Sequence, residues 1–219
     1  MKLSQSTIQT LKTFVSINPG VVLKPGKVQR TLSPDCKIML EVELEDSFDY
    51  VFGIYNLSAF LANLSNLKDP DLEFNDRYVI VKDNTFSIKI NSCDPNLIKT
   101  PPDKDLPLLD PDVSFEITTD MISKITKFIN TNSFTHISFI AANDELRVFA
   151  HERENDTTNS VSSKVCDYTG PDISFHFVSE HFKIVPDDYE VAIKAKAFAK
   201  FKSKTKPGTI YNISLEAVK

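Results

Sequence analysis

The chain has 219 residues, 41% of them hydrophobic, and a net charge of −5, with 16 Phe and 6 Tyr standing in for an absent Trp. That length and apolar content suit two cores of about 110 residues each. The acidic balance excludes a uniformly basic nucleic-acid binder. Only 5 Gly argue against a Gly-rich phosphate loop, and the widely spaced Cys36, Cys93 and Cys166 suit a reduced compartment without disulfides.

The opening residues carry Lys, Ser, Gln and Thr rather than an apolar signal core, and no apolar run approaches the roughly 20 residues that span a bilayer. The expectation is a cytoplasmic, non-membrane protein. From Ser4 to Ile17 the pattern predicts an amphipathic helix with Ile8, Leu11 and Val15 as its stripe, Ser4 or Ser6 as cap, and Pro19-Gly20 as its stop. Gln5, Gln9, Thr13 and Ser16 form the polar side, with Lys12 on its flank.

Strands are predicted at Val21–Leu23, Val28–Leu32, Ile38–Leu44 and Tyr50–Tyr55, then a second helix from Asn56 to Leu67, then strands at Asp71–Phe74, Tyr78–Lys82 and Thr85–Ile90. Residues 93–112 hold Pro95, Pro101, Pro102, Pro107 and Pro111 and read as a stiff connector. Beyond it Thr118 or Thr119 caps a helix to about Asn130 with Ile122, Ile125, Phe128 and Ile129 on its core side. Strands follow at Thr135–Ala141, Glu145–His151, Lys164–Tyr168 and Ile173–Val178, with a loop over 152–163. A short helix begins at Ser179, and Tyr189–Lys202 with Ile210–Ala217 form a closing hairpin through Pro207-Gly208.

The segment Lys2–Asn18 returns 114 positions later as Glu116–Asn132: Ile8 falls on Ile122, Leu11 on Ile125, Phe14 on Phe128 and Val15 on Ile129. The chain therefore reads as a tandem duplication in an α+β protein: a first helix–sheet domain over 1–92, a connector over 93–112 and a second domain over 113–219. Duplication suits assembly or a symmetric ligand better than one asymmetric catalytic centre.

Particular residues now carry a resemblance. Met1-Lys2-Leu3-Ser4, Leu11-Lys12, Phe14, Ile17-Asn18, Gly20, Leu23-Lys24 and Gly26 closely resemble the opening of the sliding clamps of T-even-type bacteriophages. Ile54-Tyr55-Asn56-Leu57 with Phe60-Leu61 resembles the entry to their second helix. Pro186, Tyr189, Ala195-Lys196 and Leu215-Glu216-Ala217 resemble their last hairpin. The likeness covers both ends and most of the first domain, and is poor over about 69–112. It implies the DNA-clamp fold and a homotrimeric ring around double-stranded DNA, without catalysis or cofactor. Its implied partners are a replicative DNA polymerase, a clamp-loader ATPase and late-transcription factors.

A ring must tolerate DNA without gripping it, and mobile lysines suit sequence-independent phosphate contacts. Lys127 sits near the centre of its helix's polar face, Lys124 and Lys12 lie on flanks, and Lys2 precedes the first helix. Lys68 ends the second helix and Lys183 lies in the last. The resemblance implies that these six face the phosphate backbone; their bland reading is that of ordinary solvated residues. Leu106, Leu108 and Leu109 in the connector are candidates for contact with partner proteins, or else pack that segment onto a domain.

A rival basic surface is present. Lys194, Lys196, Lys200, Lys202, Lys204 and Lys206 share one parity, as does Phe198, so one extended strand would present them together and bind single-stranded nucleic acid. A solvated outer sheet face is the plainer account. Enzymatic signals are thin. His136, His151, His176 and His181 are scattered with no zinc spacing to Cys, the carboxylates around Pro70 and in the connector suit turns, and no nucleophile elbow is present.

Overall fold

The computed structural model describes residues 1–104, 106–107, 110–155 and 157–216. The chain divides into two compact units, Met1–Lys104 and Asp105–Lys219.

In the first unit, helix α1 (Gln5–Ile17) begins where the Ser4 side chain accepts the Thr7 amide at 3.1 Å. It ends at Asn18, whose extended backbone breaks the helix. The Asn18 side-chain amide donates to the carbonyls of Leu32 at 2.7 Å and Lys99 at 3.3 Å, while its oxygen accepts the Gly20 amide at 3.0 Å. Gly20 is needed there because a Cβ would stand 3.0 Å from the carbonyl oxygens of both Ile54 and Tyr55. The buried face of α1 is Thr7, Leu11, Phe14 and Ile17; Ile8 and Val15, expected on the core stripe, are only half-buried. The wet face is Gln5, Gln9, Lys12 and Ser16, which brings Lys12 from the flank to the middle of it.

Strands β1 (Val21–Leu23) and β4 (Phe52–Ile54) pair antiparallel, as do β2 (Gly26–Leu32) and β3 (Ile38–Phe48). The Ser33 hydroxyl closes the β2–β3 turn by accepting the amides of Lys37 and Ile38. Helix α2 (Leu57–Ser65), capped by Asn56, buries Leu57, Phe60, Leu61 and Leu64 and packs beside α1. Strands β5 (Asp71–Phe74), β6 (Tyr78–Lys82) and β7 (Ser87–Asn91) form a separate antiparallel sheet. Phe74 stands edge-on to Phe48 and Phe52, joining that sheet to the rest of the unit. Residues 93–104, read as part of a stiff connector, are seated on this unit. Cys93 bridges Gly53, Pro95–Leu97 make one 3-10 turn, Ile98 is buried, and Lys24 pairs with Asp103.

The second unit opens with a strand absent from the sequence reading, β8 (Val113–Ile117), before helix α3 (Thr119–Asn132). The Thr118 side chain accepts the Met121 amide at 3.3 Å. Ser4 and Thr118 are themselves 114 positions apart, so the duplicated register extends to the caps.

Strands β9 (His136–Ala142), β10 (Glu145–His151), β11 (Val161–Asp167) and β12 (Ile173–Val178) form one sheet in the order β11-β10-β9-β12. The expected short helix is a single 3-10 turn, Ser179–His181. Strands β13 (Tyr189–Ile193), β14 (Phe198–Ser203) and β15 (Ile210–Ser214) continue from β8 in the order β8-β13-β14-β15. A ladder of mostly edge-on or tilted aromatic contacts runs Phe115, Phe139, Phe177, Phe182, Phe201, Tyr189, Tyr211, with centroids 5.1–6.2 Å apart. Burial pushes the Tyr211 phenol up to about 12.

Candidate nucleic-acid interface

The polar faces of α1 and α3 hold four of the six candidate lysines or lie beside them. Lys12 is exposed amid Gln5, Gln9 and Ser16, with no ionic partner among the described residues. Lys2, just ahead of the helix, is exposed and pairs with Asp69. On α3 the wet stripe is Asp120, Lys124, Lys127 and Thr131. Lys124 pairs with Asp120 at 2.7 Å, one turn back, and Lys127 has no ionic partner among the described residues. An exposed pair of this kind contributes only about 0.3–0.5 kcal/mol and exchanges readily for a phosphate.

Lys68 follows α2 and is exposed. Its backbone amide, at 3.0 Å, is one of several donors gathered on the Asp83 carboxylate, with the amides of Thr85 and Phe86 at 2.8 Å. Those amide hydrogen bonds hold the Asp83 carboxyl far below its ordinary range. Lys183 stands exposed between buried Phe182 and Ile184, so its neighbours turn it outward.

The rival stripe is not continuous. Lys194 and Lys196 belong to the turn between β13 and β14, where Lys196 adopts φ +61° and the Asp112 carboxylate accepts the Ala195 amide at 2.7 Å. Lys204 and Lys206 lie in the next turn, so only Lys200, Lys202 and Phe198 share a strand face. Acids or carbonyls meet most of these cations. Lys194 lies 3.0 Å from Asp112, Lys202 lies 3.7 Å from Glu190, Lys204 lies 2.7 Å from Glu116, and Lys200 donates to the Leu106 carbonyl at 2.6 Å. A face balanced in this way offers little net attraction to a nucleic-acid strand. Leu106 is half-buried and tied to β14 by that bond, whereas Leu108 and Leu109 lie outside the described residues.

A cavity of about 850 Å³ opens in the first unit beside Pro19, Val51, Tyr55, Leu97, Ile98 and Lys99. Tyr55 and Leu97 are each 66% exposed there, and no His, Cys, Asp or Glu lines it, so it offers no acid–base pair. One constellation that sequence reasoning missed is in the second unit. His151 and His176, 25 positions apart, meet on Ser138 through strand pairing that no spacing rule reveals. Ser138 is fully buried and cannot meet a substrate. Among the described residues no group of three His, Cys, Asp or Glu is arranged to hold a metal ion, and no helix is long and apolar enough to cross a membrane.

Comparison with known proteins agrees with this architecture. No family model matches the chain. The sliding clamp of Vibrio phage KVP40 is 27% identical over 207 aligned positions, covering 92% of this chain and 94% of that protein. The sliding clamp of Escherichia phage RB69 is 27% identical, covering 99% and 97%, and that of Enterobacteria phage T4 is 26% identical with the same coverage.

Among solved structures, Proliferating Cellular Nuclear Antigen from Entamoeba histolytica superposes with a TM-score of 0.67 at 14% identity, covering 97% of this chain and 95% of that one. The A. fulgidus protein of the same name, solved with the C-terminal region of FEN-1, gives 0.70 at 13%, covering 97% and 95%. The β subunit of Pseudomonas aeruginosa DNA polymerase III gives 0.65 at 10%, covering 98% of this chain and 63% of that one. The chain has the DNA-clamp fold, and the resemblance read from its N-terminal block extends over nearly its whole length.

Proposed function

We propose that this chain is a DNA sliding clamp, a processivity factor that holds a replicative DNA polymerase on its template. The observation that carries the reading is the near-full-length likeness to three phage sliding clamps, and the duplicated helix–sheet design supports it. In this reading the chain performs no chemistry. Three copies close a ring around the duplex, and the wet faces of α1 and α3 line it. Lys2, Lys12, Lys124 and Lys127, with Lys68 and Lys183, take phosphates in exchangeable contacts. Gln5, Gln9 and Ser16 supply neutral donors between them. Retention follows from topology, so the acidic overall charge is no obstacle beyond the roughly 8–10 Å reach of screened charges.

Loading by a separate clamp-loader ATPase, docking of the polymerase and support of late transcription are the partner interactions proposed with it. Two measurements test the core of the reading. Sedimentation should give a mass three times the 24.7 kDa of one chain. Loaded onto a nicked circular DNA by its loader, the protein should stay on the circle and leave once the circle is cut. Equal retention on linear DNA, or a monomer at all concentrations, would overturn it.

A further inference from the structure

Strands β9, β10 and β12 bring His136, His151 and His176 onto one side of their sheet, opposite the side that buries Ile137, Phe139 and Ala141. Ser138 lies on the histidine side and is nevertheless fully buried. Its hydroxyl stands 2.8 Å from His151 Nε2 and 2.7 Å from His176 Nδ1. The closing segment of the described chain is tied to the same place. The Glu216 amide donates to the His176 carbonyl at 2.8 Å, and the Glu216 carboxylate meets Arg153 at 2.7 Å and His136 Nε2 at 3.1 Å.

We infer that the Ser138 hydroxyl, shared by His151 and His176, is an acid-sensitive lock beneath the chain's closing segment, shut while both rings are neutral. A hydroxyl carries one proton, so it donates to one ring nitrogen and accepts N–H from the other. A proton added to the accepting ring makes both rings donors, and the buried hydroxyl proton loses its acceptor, which costs free energy. The new cation also meets like charge. The groups facing the cluster are Arg153 and His136 on the positive side, and Glu216 and Glu152 on the negative. Glu216 is already engaged twice, by Arg153 and by His136.

Burial first, then the charges of His136 and Arg153, hold His151 below its ordinary value of 6.5. Burial first, then Arg153, does the same for His176. The unfolded chain therefore takes these protons before the folded one does, and stability falls as pH drops below 6.5 toward the folded values. Global stability sums every titrating group in the chain, so the test reads single residues.

The inference stands independently of the clamp reading. Hydrogen exchange at the Glu216 amide, corrected for the intrinsic rate, should lose roughly tenfold protection between about pH 7.5 and about pH 5.5. The doubly substituted His151→Gln, His176→Gln chain should show a flat profile. Unchanged protection in the unsubstituted chain, or an equal loss in the double variant, would overturn the lock. Imidazole C–H resonances supply a measurement that does not rely on that variant folding. In the native chain the rings of His151 and His176 should titrate below 6.5, and in Ser138→Ala at least one should move upward. Titration at or above 6.5 in the native chain, or no change on removing the hydroxyl, would sink the proposal.

Discussion

Helix α1 buries Phe14 completely, whereas α3, its twin in sequence, leaves the equivalent Phe128 43% exposed. Both helices start alike, from a hydroxyl cap in the same repeat register. Each start is also held by a distant carboxylate: Asp46 accepts the Ser4 amide at 2.7 Å, and Asp188 accepts the Thr119 amide at 2.7 Å. The faces then turn partly against each other. Leu11 and its counterpart Ile125 are buried in both helices, but Thr7 is buried where Met121 is half-buried, and Ile8 is half-buried where Ile122 is buried. What lies alongside explains the turn. α1 packs against a full second helix as well as β3, but the second unit has only a 3-10 turn where α2 would be. Duplication preserved how each helix begins, while the neighbours decided which side it buries.

The widest difference should appear between Phe14→Ala and Phe128→Ala. The first removes a fully buried ring and should cost about 3–5 kcal/mol in denaturant unfolding. The second should cost no more than about 0.5 kcal/mol. Similar losses at the two sites would mean that Phe128 is covered in the working protein. The caps should show no such contrast, since Ser4→Ala and Thr118→Ala should each cost about 1 kcal/mol.

Asp188 sharpens the comparison through pH. Hydrogen bonds from the Thr119 amide and hydroxyl lower its pKa below 3.8. Its contribution is therefore present above 3.8 and lost as pH falls through the folded value. Acid unfolding of Asp188→Asn should begin from lower stability and show a shallower slope in that range. The smallest stability effect should come from Lys124→Ala with Lys127→Ala, near zero, because both side chains are exposed. If the α3 face meets phosphates, the same pair should reduce the salt dependence of DNA retention by up to about two counterions per subunit. A lost trimer with unchanged salt dependence would make them structural instead.

Helix starts were legible because capping is local: Ser4, Asn56 and Thr118 each precede an apolar period with a side-chain acceptor in place. Most strands were legible from their alternation. The turn at Lys194–Ala197 was not. It has no Gly, Pro or Asn, and it is held by Asp112, some 80 positions away, so a broken strand read as a continuous basic stripe. Val113–Ile117 was hidden behind the proline-rich segment, although its own burial alternates cleanly.

Composition, period and repeat register by themselves determined a twofold helix–sheet chain, its helix starts and its list of outward lysines. These follow from interactions within a few residues, which order in sequence encodes directly. Which face each helix buries, which lysines acids neutralise, and the meeting of two histidines on Ser138 were decided only by the tertiary structure. Such outcomes depend on what a distant segment places alongside, and a contact between residues tens of positions apart leaves no period in the sequence to read.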